Sequence, residues 1–162
     1  MSIVKKTKKA KSGRAPRRTS GGAKQGDRLI PMRVSDGFRS FVLDQLQALG
    51  GVTPKSMFGG VGLYHAGVFF GIVAADVLYL KVDDTNRPDY ERAGSRPFRP
   101  YAHRGGTMQY WSVPIEVLES GHELAAWAKK SVAVAGAGVR SATARRRSQA
   151  ARALQPKPAR RT

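Results

Sequence analysis

The stretch Met57–Asp83, MFGGVGLYHAGVFFGIVAADVLYLKVD, is the longest apolar region of the chain, and turn residues cut it at regular intervals. That combination forces short strands joined by tight connections. Val68, Phe70, Ile72 and Ala74 alternate with Phe69, Gly71, Val73 and Ala75, and Leu78, Leu80 and Val82 alternate with Val77, Tyr79 and Lys81. A period of two places alternate side chains on opposite faces of a sheet. The breaks at His65-Ala66-Gly67 and Ala75-Asp76 suit hairpin turns, so the region reads as three successive antiparallel strands. The face bearing Leu78, Leu80 and Val82 is expected to pack on helices. The other face, with Phe69 and Val73 flanking Gly71, is too apolar for free solvent.

The flanking sequence supplies the helices. Ser35 and Asp36 precede Phe38, Phe41, Val42, Leu46 and Leu49 at helical spacing, and Gly50-Gly51 stops that run. In Met57-Phe58-Gly59-Gly60-Val61 two glycines interrupt an apolar strand, the pattern of a bulge or a close backbone approach. Asp83-Asp84-Thr85-Asn86 offers caps for a short helix ending near Gly94. Pro97–Tyr101 reads as an edge strand and Thr107–Val113 as an aromatic-rich one. Pro114 starts a short helix that Gly121 is expected to end. A last helix carries Leu124, Trp127, Ala128, Ser131, Val132 and Ala135 on one face, and its apolar pattern lapses after Gly136. Strands joined by short turns and flanked by helices predict an α+β fold: two layers, an antiparallel five-stranded sheet covered by helices in the order α-β3-α-β2-α.

Charge divides the chain into three. Residues 1–28 hold 10 Lys and Arg against one acid, residues 29–134 hold 11 against 10, and residues 135–162 hold 8 against none, giving +9, +1 and +8 of the total +18. The expected organisation is a disordered basic tail over 1–28, a domain over 29–136 and an Arg/Ala-rich basic tail over 137–162. Lys5, Lys6, Lys8, Lys9, Lys11, Arg14, Arg17 and Arg18 form one cluster, and Arg140, Arg145, Arg146 and Arg147 lead the other. Such clusters release counterions from nucleic acid and bind it without regard to sequence. Bulky apolar residues do not accompany the charge, so a membrane partner is not expected.

The absence of cysteine excludes disulfides, thiolate metal sites and thiol nucleophiles, and fits a cytoplasmic protein. His65, His103 and His122 are dispersed without ligand spacing, so no metal is expected. Asp83, Asp84, Asp89 and Glu91 do not match a calcium loop and read as helix caps and surface charge. Gly59-Gly60-Val61-Gly62 lacks the Lys-Ser/Thr of a phosphate loop, and no G-x-S-x-G elbow is present. No catalytic residue and no cofactor is assigned. Tyr64, Phe69, Tyr79, Tyr110 and Trp111 are aromatics able to line a partly exposed sheet face, where rings can stack nucleobases, but the RNA-binding signature is absent and the domain is nearly neutral. Phe69, Tyr79 and Tyr110, together with Val73, are the candidate surface for a protein partner or a second copy of the chain.

Several runs are specific when taken together: Met57-Phe58-Gly59-Gly60 with Gly62-Leu63-Tyr64, Val77–Asp83, Asn86-Arg87-Pro88-Asp89-Tyr90, Pro97-Phe98, and Met108-Gln109-Tyr110-Trp111 before Pro114. On these, residues 35–134 resemble the N-terminal domain of the TfoX/Sxy family, bacterial regulators of DNA-uptake competence. The resemblance implies a two-layer domain similar to secretion-chaperone folds, with no known enzymatic activity. In the better-known members it implies transcriptional coactivation alongside the cyclic-AMP receptor protein. Those members carry a second, helical domain where this sequence has its Arg-rich segment. The resulting expectation is a non-enzymatic bacterial regulatory or interaction protein, associated with nucleic acid through its tails. The alternative is a protein-interaction or chaperone-like module without a nucleic-acid role.

Overall fold

The computed structural model describes residues 30–101 and 106–153. Helix α1 (Asp36–Gln45) is capped by Ser35, whose hydroxyl accepts from the Phe38 N–H, and it tightens into a 3-10 turn over Leu46–Ala48. Four strands follow as a continuous meander: β1 (Val52–Met57), β2 (Gly60–His65), β3 (Val68–Ala74) and β4 (Val77–Lys81). After α2 (Arg87–Arg92) comes β5 (Tyr110–Ser112), then α3 (Ile115–Glu119) and the 33-residue α4 (Gly121–Ala153). The strands form one antiparallel sheet in the order β1-β2-β3-β4-β5. This is the α+β architecture expected, with the five strands divided four and one instead of three and two.

The division differs for local reasons. Phe58-Gly59 is not an irregularity inside a strand but a two-residue turn between β1 and β2. Phe58 at φ 48° and Gly59 at φ 85° both have left-handed backbone. Ala66-Gly67 and Ala75-Asp76 repeat the arrangement, so all three meander turns have positive φ at both central residues. Such turns match the right-handed twist of the strands they join. At the other edge, Pro97 makes only an isolated bridge to Trp111, because prolines 97 and 100 have no N–H to extend a ladder. The edge position is as expected; a full strand does not form.

A bulge in β3 decides which side chains face which layer. Leu63 stands opposite Gly71 and Tyr64 opposite Phe69, leaving Phe70 as an extra residue. The alternation therefore slips by one at that point. Val68, Phe70 and Val73 join the helix-covered core with Val42, Leu46, Leu63, Leu78, Leu80, Leu124 and Ala128. Phe69, Ile72 and Ala74 turn to the second face, with Met32, Tyr79, Phe98 and Tyr110. Residues 30–35 run against the sheet from this side: Ile30 N–H donates to the Pro100 carbonyl at 3.0 Å, and Ser35 N–H donates to Asp76 Oδ1 at 2.8 Å. That bond helps to hold Ala75-Asp76 in its left-handed conformation.

Helix α2 is tied to α4 by Lys130 Nζ on Asp89 Oδ2 at 2.7 Å and by Tyr90, whose ring lies edge-on to Trp127 at 4.5 Å. The Tyr90 and Ser131 hydroxyls approach to 3.4 Å inside the core. The buried Asn86 accepts from the Asp83 N–H and donates to the Lys81 carbonyl, fixing the loop after β4. Helix α4 begins at Gly121, the residue expected to end α3, and continues through Gly136. Its last buried residue is Ala135. Beyond it the helix is sustained by Ala and Arg, good helix formers, and by a nucleus already formed on the domain.

Candidate functional site

Two surfaces carry the functional candidates, and the first is the second face of the sheet. Tyr64 on β2 packs against Phe69 on β3 with ring centroids 5.1 Å apart, and Phe69 packs against Tyr110 on β5 at 5.3 Å. Lys55 Nζ lies 4.6 Å from the Tyr64 ring centre, and Lys81 Nζ lies 4.8 Å from that of Tyr110. Tyr79 meets Phe98 at 4.8 Å. The rings face one another and two lysines, so they pack as a second small core and not as a platform for stacked bases.

Burial sets the electrostatics of this face. It pushes the Tyr110 phenol up to about 12, with the neighbouring Tyr64 adding to the shift, and it raises Tyr79. Burial also lowers Lys81, an effect that Asp83 opposes, while its ammonium donates to Gln109 Oε1 at 3.2 Å.

Beside this cluster lies an apolar groove of about 430 Å³, bounded by Met32, Met57, Phe58, Ile72, Phe98 and Met108 among others. Phe58 stands at its rim, 80% exposed, although a bulky aromatic residue rarely adopts left-handed backbone. Tyr101 and Met108 are also exposed there. Three methionines give the lining flexible, polarisable side chains that can adapt to an apolar occupant.

Of the residues expected on this surface, Phe69 and Tyr79 are half-buried upon it, and Tyr110 supports it from beneath at 5% exposure. Val73 does not belong to it. The β3 bulge turns Val73 into the helix-covered core, where it is 1% exposed. Trp111 likewise faces the helices, because it follows Tyr110 directly on β5. Phe58 and the methionines were missed by sequence reasoning. The dipeptide Phe58-Gly59 between two alternating runs was the available signal, since a Gly in second place suits a two-residue hairpin.

The second surface is the distal half of α4. Arg140, Arg145, Arg146 and Arg147 all lie on it and are exposed, as is Arg152, which extends the set. The Ser141, Thr143 and Ser148 hydroxyls donate back to carbonyls of their own helix at 2.9, 3.0 and 3.1 Å. The guanidinium groups are thus the chemistry this segment presents outward. Lys5, Lys6, Lys8, Lys9, Lys11, Arg14, Arg17 and Arg18 lie outside the described residues, as does His103.

The acidic group is occupied locally. Asp83 accepts from Thr85, Asp84 pairs with Arg87 at 3.0 Å, and Asp89 takes Arg92 and Lys130. The Lys130 hydrogen bond, chiefly, with Arg92 beside it, holds Asp89 below its ordinary range. Among the described residues no group of three or more His, Asp or Glu side chains is placed to hold a metal ion. No described helix is long and apolar enough to cross a membrane.

A small α+β domain with an open antiparallel meander, helices on one face, an apolar groove on the other and a basic helical extension defines the class. The family model for the TfoX N-terminal domain matches residues 44–135, more than half of the 162-residue chain. The chain belongs to the TfoX N-terminal domain family. No curated protein matches its sequence significantly.

Proposed function

We propose that this TfoX-domain protein is a non-enzymatic regulatory adaptor of the bacterial cytoplasm, associated with nucleic acid through its basic ends and acting in transcription. DNA-uptake competence is the setting that the family implies. The observation that carries this reading is the segregation of charge: +17 of the net +18 lies in residues 1–28 and 135–162, while residues 29–134 carry +1. The exposed arginines of α4 support it further. In this reading the ends supply affinity for phosphate and the domain supplies identity.

The test is a salt titration of the full-length protein on duplex DNA, beside a variant with the eight clustered N-terminal Lys and Arg and Arg140, Arg145, Arg146 and Arg147 all changed to Gln. The expected result is a dissociation constant of about 10⁻⁴–10⁻⁶ M at physiological salt, with a steep salt slope that collapses in the variant. Equal binding by both proteins refutes the reading.

The exposed Phe58 beside the groove favours a second role: the domain takes a protein partner in transcription, or a second copy of itself, at this face. If partner capture is unchanged in the charge-neutralised variant and DNA binding is absent from both proteins, the interaction or chaperone-like role stands alone.

A further inference from the structure

The distal part of α4, Gly136–Ala153, is helical although it leaves the domain, and at about 1.5 Å per residue it projects about 27 Å. Its charge has a defined arrangement. At about 100° per residue, Arg140 and Arg147 fall on one row and Arg145 and Arg152 on another, the rows about 140° apart around the axis. The sector between them holds Ala137, Ser141, Ala144, Ser148 and Ala151, none of which reaches as far as an arginine. Arg146 lies outside both rows. The last acidic residue is Glu123 in the first turn of α4, about 25 Å along the helix from Arg140, so no acid on this helix lies within reach of these arginines.

The major groove of B-form DNA is about 12 Å wide with phosphates along both walls, and it admits one α-helix of about 10–12 Å diameter. A helix with cations on two flanks and short side chains between them is complementary to that groove in charge and width. The A-form major groove of double-stranded RNA is too deep and narrow for side chains to read.

We propose that Gly136–Ala153 lies as a preformed helix in the major groove of double-stranded DNA, with Arg140 and Arg147 on the phosphates of one wall and Arg145 and Arg152 on those of the other. This rests on the nucleic-acid reading above and adds to it a binding geometry. A flexible tail would need only charge; this arm needs charge and helix together. Because α4 is continuous with the core, the domain is then held in one orientation to the groove.

The experiment uses the full-length protein, a mixed-sequence duplex and the corresponding single strand, with binding read by fluorescence anisotropy across a salt series. Ala144→Pro keeps every charge but breaks the helix between the arginines. Ala144 is exposed and distal to Ala135, the last buried residue of α4, so the melting temperature of the variant stays at the parent value. The expected result is about tenfold weaker duplex binding by Ala144→Pro and loss of guanine N7 protection from dimethyl sulfate, since N7 opens to the major groove. Changing Arg140, Arg145, Arg147 and Arg152 to Gln is expected to lower the salt slope by about 3–4, at about 0.9 per phosphate contact.

If Ala144→Pro binds and protects as the parent does while the arginine variant is weakened, the arm acts as simple charge. The groove geometry then falls, and the nucleic-acid reading survives. If the arginine variant binds with the parent's affinity and slope, this end of the chain has no part in nucleic-acid binding. Equal affinity and slope on single strand and duplex, or tighter binding to phosphatidylserine vesicles than to duplex, also overturns the proposal.

Discussion

Replacing Gly60 by Ala tests how the groove is built. Gly60 begins β2 where residues 30–34 press on the sheet, and a Cβ there would lie 2.7 Å from the Val73 carbonyl oxygen, 3.4 Å from Met32 Cε and 3.5 Å from the Met32 carbonyl oxygen. Only the methionine methyl can swing away. The Val73 oxygen belongs to a central strand, and the Met32 carbonyl accepts from the Ala75 N–H. Overpacking costs about 1–3 kcal/mol, and a clash with fixed backbone belongs at the upper end. Alanine's smaller unfolded-state entropy offsets about 0.4–1 kcal/mol. The net expectation is a loss of about 2 kcal/mol, or roughly 9 °C in Tm for a domain of this size at about 2.1 cal/mol/K per residue.

Thermal melting followed by circular dichroism measures it, with Gly37→Ala as the control. Gly37 lies in the first turn of α1 with nothing within 4 Å of its Cβ position, so that change is expected to raise stability by about 0.5 kcal/mol. A Gly60→Ala protein that melts at or above the parent temperature refutes the packing argument.

The β3 bulge is tested by Val73→Thr, which places a hydroxyl in the helix-covered core and is expected to cost about 1–3 kcal/mol in denaturant unfolding; a neutral result would return Val73 to the outer face. Asp89 is held below its ordinary value of 3.8 chiefly by Lys130, so the stability it contributes is present above that value and is lost as pH falls through the lower folded one. Asp89→Asn should flatten this part of the acid limb in a pH series of melts. Tyr79, Tyr90 and Tyr110 are all raised by burial above their ordinary 10.0, so their contribution is full below pH 10 and is lost as pH rises through the folded values. Ultraviolet titration should show Tyr79, Tyr90 and Tyr110 ionising late, together with unfolding, and their ionisation near 10 contradicts their burial.

Much of the domain was legible along the chain because its signals are local. The Ser35 cap, the apolar repeat of α1, the paired runs Val68–Ala74 and Val77–Lys81, and Pro114 before α3 each depend on neighbours a few residues away. The turn at Phe58-Gly59 was hidden because a phenylalanine with positive φ runs against intrinsic preference. Strain of that kind is tolerated when two pairing strands on either side impose the connection. Val73 was misplaced for a different reason. A period-two pattern presumes an unbroken pleat, and the isolated Gly71 inside Phe69-Phe70-Gly71-Ile72-Val73 was the only local sign of the extra residue at Phe70.

Composition alone fixed the separation of a nearly neutral domain from basic ends and the exclusion of thiol chemistry, since charge and residue type need no coordinates. Period and punctuation fixed the α+β class, because strand and helix are written in local spacing. Only the tertiary structure decided which aromatics share the groove, because that depends on one bulge and on residues 30–35 reaching Asp76 and Pro100. It also decided that the arginines after Gly136 stand on a helix. A segment that is marginal alone inherits its first turns from a helix already anchored in the core.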